Sequence, residues 1–203
     1  LARAAHAEGK RSAVCSSTHI LQPEAPDIAF LHPCAEADCL AVWESGRILA
    51  TGRVCEQGKI TMPDAASWQA LTALADFIVC EADGAKNLPL KFPAAYEPVL
   101  PAGYTRMIAV AGLSALGQPT DIILHRAELA RQTLPALPAI IDEAAIAALL
   151  IAGYGRYQPQ FVLNQADDPP LLASGRRIAA LLAEAGFTDT VITALKKGVQ
   201  PLC

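Results

Sequence analysis

Phe77-Ile78-Val79-Cys80-Glu81-Ala82-Asp83-Gly84-Ala85-Lys86 is the stretch on which the fold turns. Its first four residues are apolar without alternation, the pattern of a strand covered on both faces in a parallel sheet. The next four turn acidic and end on glycine, as the carboxyl end of such a strand does where a ligand is met. Upstream, Asp64 follows Pro63 and opens a helix expected over 64–75, with Trp68, Leu71 and Leu74 near helical spacing. Downstream, Pro89, Pro93, Pro98 and Pro101 exclude helix and central strand and leave a long ordered or gated loop. Further strands are expected at 12–15, 107–111, 161–163 and 191–193, and helices at 1–8, 124–133, 143–152 and 170–185. Residues 40–43 and 48–54 read as a hairpin turning at Gly46. Strands separated by helices imply an α/β fold of three layers, a mostly parallel sheet with helices on both faces and a small antiparallel hairpin.

The chain has 203 residues, 53% of them hydrophobic, which is enough for one buried core, and residues 1–203 are expected to form a single domain. Charged residues make up 18%, the net charge is −4, and no stripe of Lys or Arg is present to neutralise a phosphate backbone, which argues against nucleic acid as partner. The longest apolar runs, such as 144–152, fall far short of the roughly 20 residues of a membrane-spanning helix. No basic segment followed by an apolar one opens the chain, so a cytoplasmic protein is expected. Its six cysteines, Cys15, Cys34, Cys39, Cys55, Cys80 and Cys203, are then expected to be reduced and to make no disulfide. Cys15 and Cys80 lie in apolar runs as small buried hydrophobes. His32, Cys34, Asp38 and Cys39 stand close together, either as metal ligands or as a surface loop broken by Pro33.

Three polar clusters fall at strand carboxyl ends. Ser16-Ser17-Thr18-His19 offers hydroxyls for phosphate or a magnesium-bound water, although Ser and Thr also end strands for local reasons. Glu81 and Asp83 supply the carboxylates that a hard cation requires, and Gly84 lets the backbone approach a terminal phosphate; the alternative is a strand cap and a turn. Lys86 and Lys91, in the loop that follows, either meet a substrate anion or are solvated. Asn164-Gln165-Ala166-Asp167 matches the base-reading turn of guanine-nucleotide proteins, in which the aspartate accepts from guanine's donor edge. Gln165 stands where that turn carries lysine.

The segment Glu81 to Pro93, continuing through Tyr96-Glu97-Pro98-Val99, closely resembles the signature of the YqeC family of selenium-dependent hydroxylase accessory proteins. So do Ser17-Thr18-His19-Ile20, Ala111-Gly112-Leu113-Ser114-Ala115-Leu116-Gly117 with His125-Arg126, and Leu163 to Asp167. The similarity covers nearly the whole chain; Ser16-Ser17 and Gln165 depart from it. It implies a P-loop fold, GTP or ATP with Mg2+ as cofactor, and a part in maturing selenium-dependent molybdenum hydroxylases. In that setting Asp83 steers magnesium through water, Thr18 lies near the γ-phosphate, Glu81 joins the catalytic set, and Ser17, Gly84, Asn164 and Asp167 bind nucleotide. Lys86, Lys91, Glu97, His125 and Arg126 contact substrate or a partner hydroxylase or its cofactor, which is also the basis of a non-catalytic binding module. Leu1 to Arg11 resembles the end of the helix that follows the family's phosphate loop, so that strand and loop are expected ahead of residue 1, absent here through truncation or natural variation. The 203 residues alone are accordingly expected to bind nucleotide weakly.

Overall fold

The apolar runs pair in register into parallel sheets in the computed structural model, which describes residues 1–194. Two compact units result, one of Leu1–Gly84 with Glu97–Ala102, the other of Ala85–Tyr96 with Gly103–Cys203. Cys203 lies outside the described residues.

The first unit contains α1 (Ala2–Ala7), β1 (Ser12–Ser16), β2 (Ile20–Leu21), β3 (Ile28–Leu31), α2 (Glu36–Glu44), β4 (Ile48–Thr51), β5 (Arg53–Val54), β6 (Lys59–Thr61), α3 (Ala65–Leu74) and β7 (Phe77–Glu81). Its main sheet is wholly parallel in the order β3-β4-β1-β7, so the decisive 77–81 strand is an edge. β1 and β7 run in step from Ser12 opposite Phe77 to Ser16 opposite Glu81. One core joins Ala13 and Leu49 of the sheet to Cys39 and Val42 of α2 and Leu71 of α3. Helix α3 begins where Asp64 predicts: its Oδ1 accepts from the Ser67 N–H at 2.9 Å and its Oδ2 from the Ser67 hydroxyl at 3.0 Å.

The hairpin expected across 40–54 does not form. Residues 36–44 are helix α2, with Glu36 and Asp38 in the first turn, where carboxylates favour the helix dipole, and Cys39 and Val42 three apart on the buried face. Gly46, at φ 73°, ends that helix instead of turning a hairpin: its N–H donates to Trp43 O at 2.9 Å and the Arg47 N–H to Val42 O at 3.3 Å. β4 then pairs parallel with β1 and β3, and the antiparallel part is the separate sheet β2-β6-β5. The same helix corrects the expectation of six free thiols. Its first turn carries Cys39 back over Cys34, the two Cα atoms are 6.4 Å apart, and the pair is a disulfide. A reduced set of thiols therefore lends no support to a cytoplasmic location, and these two sulfurs are not metal ligands. Among the described residues no group of three or more His, Cys, Asp or Glu is placed to hold a metal.

At the amino end of the sheet, Arg11 clamps Asp76 through its N–H, Nε and Nη2 at 2.9, 3.1 and 2.9 Å. Hydrogen bonds from the Arg11 side chain and backbone hold the Asp76 carboxyl well below the usual carboxylate range. The folded pKa lies under the unfolded value of about 3.9, so the clamp stabilises above that pH and is lost as pH falls toward the folded value. Asp76→Asn should lower the thermal midpoint at pH 7, and the difference from wild type should shrink steadily below about pH 4.

The second unit contains β8 (Leu90–Lys91), β9 (Ile108–Gly112), α4 (Thr120–Ile123), β10 (Leu124–His125), α5 (Ala127–Thr133), α6 (Glu143–Tyr154), β11 (Gln160–Asn164), α7 (Pro169–Glu184) and β12 (Thr190–Ile192). Its parallel sheet is ordered β12-β11-β9. α6 is apolar around most of its circumference and correspondingly buried, with Asp142 capping it by accepting from the Ala145 N–H at 2.7 Å. Asp168 does the same for α7 through Leu171 at 2.8 Å. Residues 124–125, expected as helix, are instead strand β10, because Arg126 takes a left-handed turn (φ 69°) and delays the helix to Ala127. The architecture is thus α/β, with mostly parallel sheets flanked by helices and a small antiparallel sheet. Among the described residues no helix is long and apolar enough to cross a membrane.

Candidate functional site

In the first unit the in-step pairing of β1 and β7 brings the hydroxyl cluster and the acidic cluster to the same sheet end. Ser16, fully buried, is the hub: its hydroxyl donates to Glu81 O at 3.1 Å, accepts from the Thr18 N–H at 3.0 Å and shares a 3.1 Å hydrogen bond with the Thr18 hydroxyl. The Ser17 N–H donates to the same Glu81 carbonyl at 3.0 Å, and its hydroxyl lies against the carbonyls of Glu81 and Val99. Val99 donates its N–H to Ala82 O at 2.9 Å, which straps the proline-rich segment across the tip. Glu97, 8% exposed, precedes that strap in the same unit. Glu81 is exposed, and Asp83 and Gly84 are half-buried. A Cβ on Gly84 would come within 3.1 Å of Glu81 Oε1, so the turn after β7 passes close to the carboxylate it follows.

Beneath that tip lie two thiols in register, Cys15 of β1 and Cys80 of β7. Hydrogen bonding from Cys15, aided by the Ser17 hydroxyl and N–H, lowers Cys80 to about 7 against the opposing effects of burial and the Glu81 charge. The Cys15 thiol is pushed up by the same contact and by burial.

In the second unit β8 pairs with β10, setting Leu90 beside Leu124 and Lys91 beside His125. The Phe92 N–H closes the pair on His125 O at 3.0 Å. Arg126 Nη2 donates to the Tyr96 hydroxyl at 3.1 Å, and its guanidinium lies 5.7 Å from the centre of that ring. Lys91, His125, Arg126 and Tyr96 thus form one group, although they come from segments more than 25 residues apart in sequence order, as 91 and 125 are. Lys91 is only 9% exposed, so it is not the solvated lysine that its loop position suggests. Lys86 is exposed and, with Asn87, left-handed (φ 52° and 64°) in the turn closed by Leu88 N–H to Ala85 O at 3.0 Å.

The Asn164–Asp167 turn follows β11. Thr193 donates its hydroxyl to Asn164 Oδ1 at 3.0 Å, and Gln165, at φ 69°, accepts on Oε1 from the Ser114 hydroxyl at 2.6 Å and N–H at 3.3 Å. Gly112 is required beneath it, since a Cβ there would lie 2.4 Å from Gln165 Oε1 and 2.9 Å from Pro89 Cβ. Gln165, which departs from the guanine-reading pattern, is therefore the residue that braces the turn.

Sequence reasoning passed over Ser16 as the hub, Tyr96 as the partner of Arg126, and the facing of Cys15 and Cys80. Aligning the polar tips of 12–16 and 77–81 would have found the thiol pair, because each cysteine stands one residue before its tip.

The first unit is thus part of an α/β protein whose hydroxyls and carboxylates collect at strand carboxyl ends, the end at which open α/β sheets in general meet ligands. The model of the family described as YqeC protein matches residues 1–128, and the chain belongs to the YqeC family. No curated protein and no solved structure matches it.

Proposed function

We propose that the protein is a cytoplasmic, nucleotide-binding maturation factor that uses GTP or ATP with Mg2+ to assist cofactor or selenium insertion into selenium-dependent molybdenum hydroxylases. Membership of the YqeC family supports the accessory role. The observation that carries the nucleotide reading is the shared end of β1 and β7, where Glu81 ends β7 and Ser17, Thr18, Asp83 and Gly84 follow strands paired in step. The donors there are hard oxygens. Such donors suit a magnesium ion held mainly by waters and phosphate, with Asp83 anchoring a water. When bound, that ion would neutralise charge developing on the transferred phosphoryl group. Thr18, tied to Ser16, orients a hydroxyl toward the same end, whereas Ser17 is engaged in holding the 97–102 strap.

The base reading rests on Asn164 and Asp167. Asp167→Asn exchanges an acceptor for a donor and should move preference from guanine toward xanthine, whose edge offers a carbonyl in place of the amine. Loss of a charge-assisted pair costs about 1.5–3 kcal/mol, on the order of tenfold to a hundredfold in GTP affinity. Calorimetry of the full-length protein with GTP, ATP and XTP in the presence of magnesium checks this. Equal binding of GTP and ATP by the parent removes the guanine reading.

A second reading, a non-catalytic module that contacts the hydroxylase or its molybdenum cofactor, is favoured by the pairing of Arg126 with an exposed aromatic, Tyr96 (70% exposed), next to His125. Magnesium-dependent turnover by the full-length protein separates the two. Hydrolysis that falls in Asp83 variants supports the enzyme, and absence of any turnover supports the module.

A further inference from the structure

We infer that Cys15 and Cys80 form a dithiol exchange site that takes a small disulfide as substrate, Cys80 being the attacking sulfur and Cys15 the resolving one. Their strands are adjacent, parallel and paired residue for residue at this position. Neighbouring strands stand about 4.7–4.9 Å apart, inside the Cα separation of about 4.4–6.8 Å that a disulfide spans. Strand alternation places both cysteines on the face of Ala13 and Ile78. Thr51, the last residue of β4, lies one residue past the Val14–Ala50 pair, as Cys15 lies one past it on β1, and its fully buried hydroxyl has no hydrogen-bond partner among the described residues.

The division of labour follows from access. β7 is the sheet edge and Cys80 is half-buried, so a substrate sulfur can reach it, while Cys15, 2% exposed, is shielded from all but its neighbour. The buried Cys34–Cys39 pair is already oxidised and belongs to the core, and Cys55, its Sγ donating to Lys59 O at 3.2 Å, has no thiol opposite it. The steps balance as ordinary exchange. Cys80 thiolate attacks one sulfur of the small disulfide, a protein–substrate S–S bond forms, and the other half leaves as thiolate. Cys15 then attacks Cys80 Sγ, forming the Cys15–Cys80 bond and expelling the second half, whose departing thiolate takes the Cys15 proton. The two protein thiols are oxidised and the substrate disulfide is reduced to two thiols.

The test treats the full-length reduced protein with oxidised glutathione, quenches by alkylation and maps peptides over time. The wild type should yield a Cys15–Cys80 cross-linked peptide, Cys15→Ser should stop at a glutathione adduct on Cys80, and Cys80→Ser should show neither. In the wild type Cys80 should end in the cross-link while Cys55, with no thiol opposite it, should go no further than a glutathione adduct, a comparison that needs no variant to fold. A wild-type Cys80 adduct that persists without cross-linking, or a Cys80 that takes no glutathione, would overturn the inference.

Discussion

Asp83→Asn is expected to cost roughly 10–100-fold in magnesium affinity, or in magnesium-dependent nucleotide turnover, because outer-sphere partners of a metal contribute on that scale. The position carries the expectation. Asp83 stands two residues past Glu81, which ends β7 opposite the Ser16 hub of β1. Asparagine keeps the size and one acceptor but removes the charge that, in the proposed function, orders a metal-bound water. The loss should therefore appear in kcat and in the magnesium titration rather than in folding, and thermal unfolding without nucleotide should stay near wild type. Phosphate release from GTP and ATP at varied magnesium measures it. Asp83→Asn turning over like the parent at limiting magnesium would refute the role given to this residue and, with it, the nucleotide reading of the β1–β7 end.

Phe161→Ala should destabilise the second unit by about 3–5 kcal/mol, the cost of emptying a fully buried aromatic site. Phe161 lies in β11, the middle strand of its sheet, with none of its surface exposed. Its ring meets Phe187 edge-on at 5.4 Å and 70°. Phe187 in turn fills the space above Gly155, where a Cβ would lie 2.9 Å from its ring, so the neighbours are too constrained to collapse into the cavity. Phe77→Ala is the contrasting control: that ring is 38% exposed on an edge strand and should cost far less. Urea unfolding read on the transition of each unit distinguishes them, with a lower midpoint at unchanged slope for Phe161→Ala. Equal midpoint shifts for the two variants would show that the buried ring does not hold the second sheet.

Much of this protein was legible from local rules. The continuous apolar run of 77–80 and the Asp64 cap act within a few residues of where they stand, and strand β7 and helix α3 formed there. The family likeness was likewise carried by contiguous text, above all residues 81–93. Where a residue type serves two local structures, the text alone was ambiguous. Gly46 turns a hairpin or ends a helix with the same positive φ, and the choice fell to the helix because Cys39 and Val42 could then bury against Ala13 and Leu49.

By itself, then, the sequence determined the α/β class, most element positions and the polar character of the strand ends, because periodicity, capping and proline act over one or two turns of chain. Only the tertiary structure decided which of those ends meet. It joined Ser16 to Glu81, Cys15 to Cys80, Lys91 to His125 and Cys34 to Cys39, and gave Gln165 its bracing role. Such pairings depend on strand order and register, which are set by how many apolar faces can be buried at once across distant segments, a balance that no short stretch of residues contains.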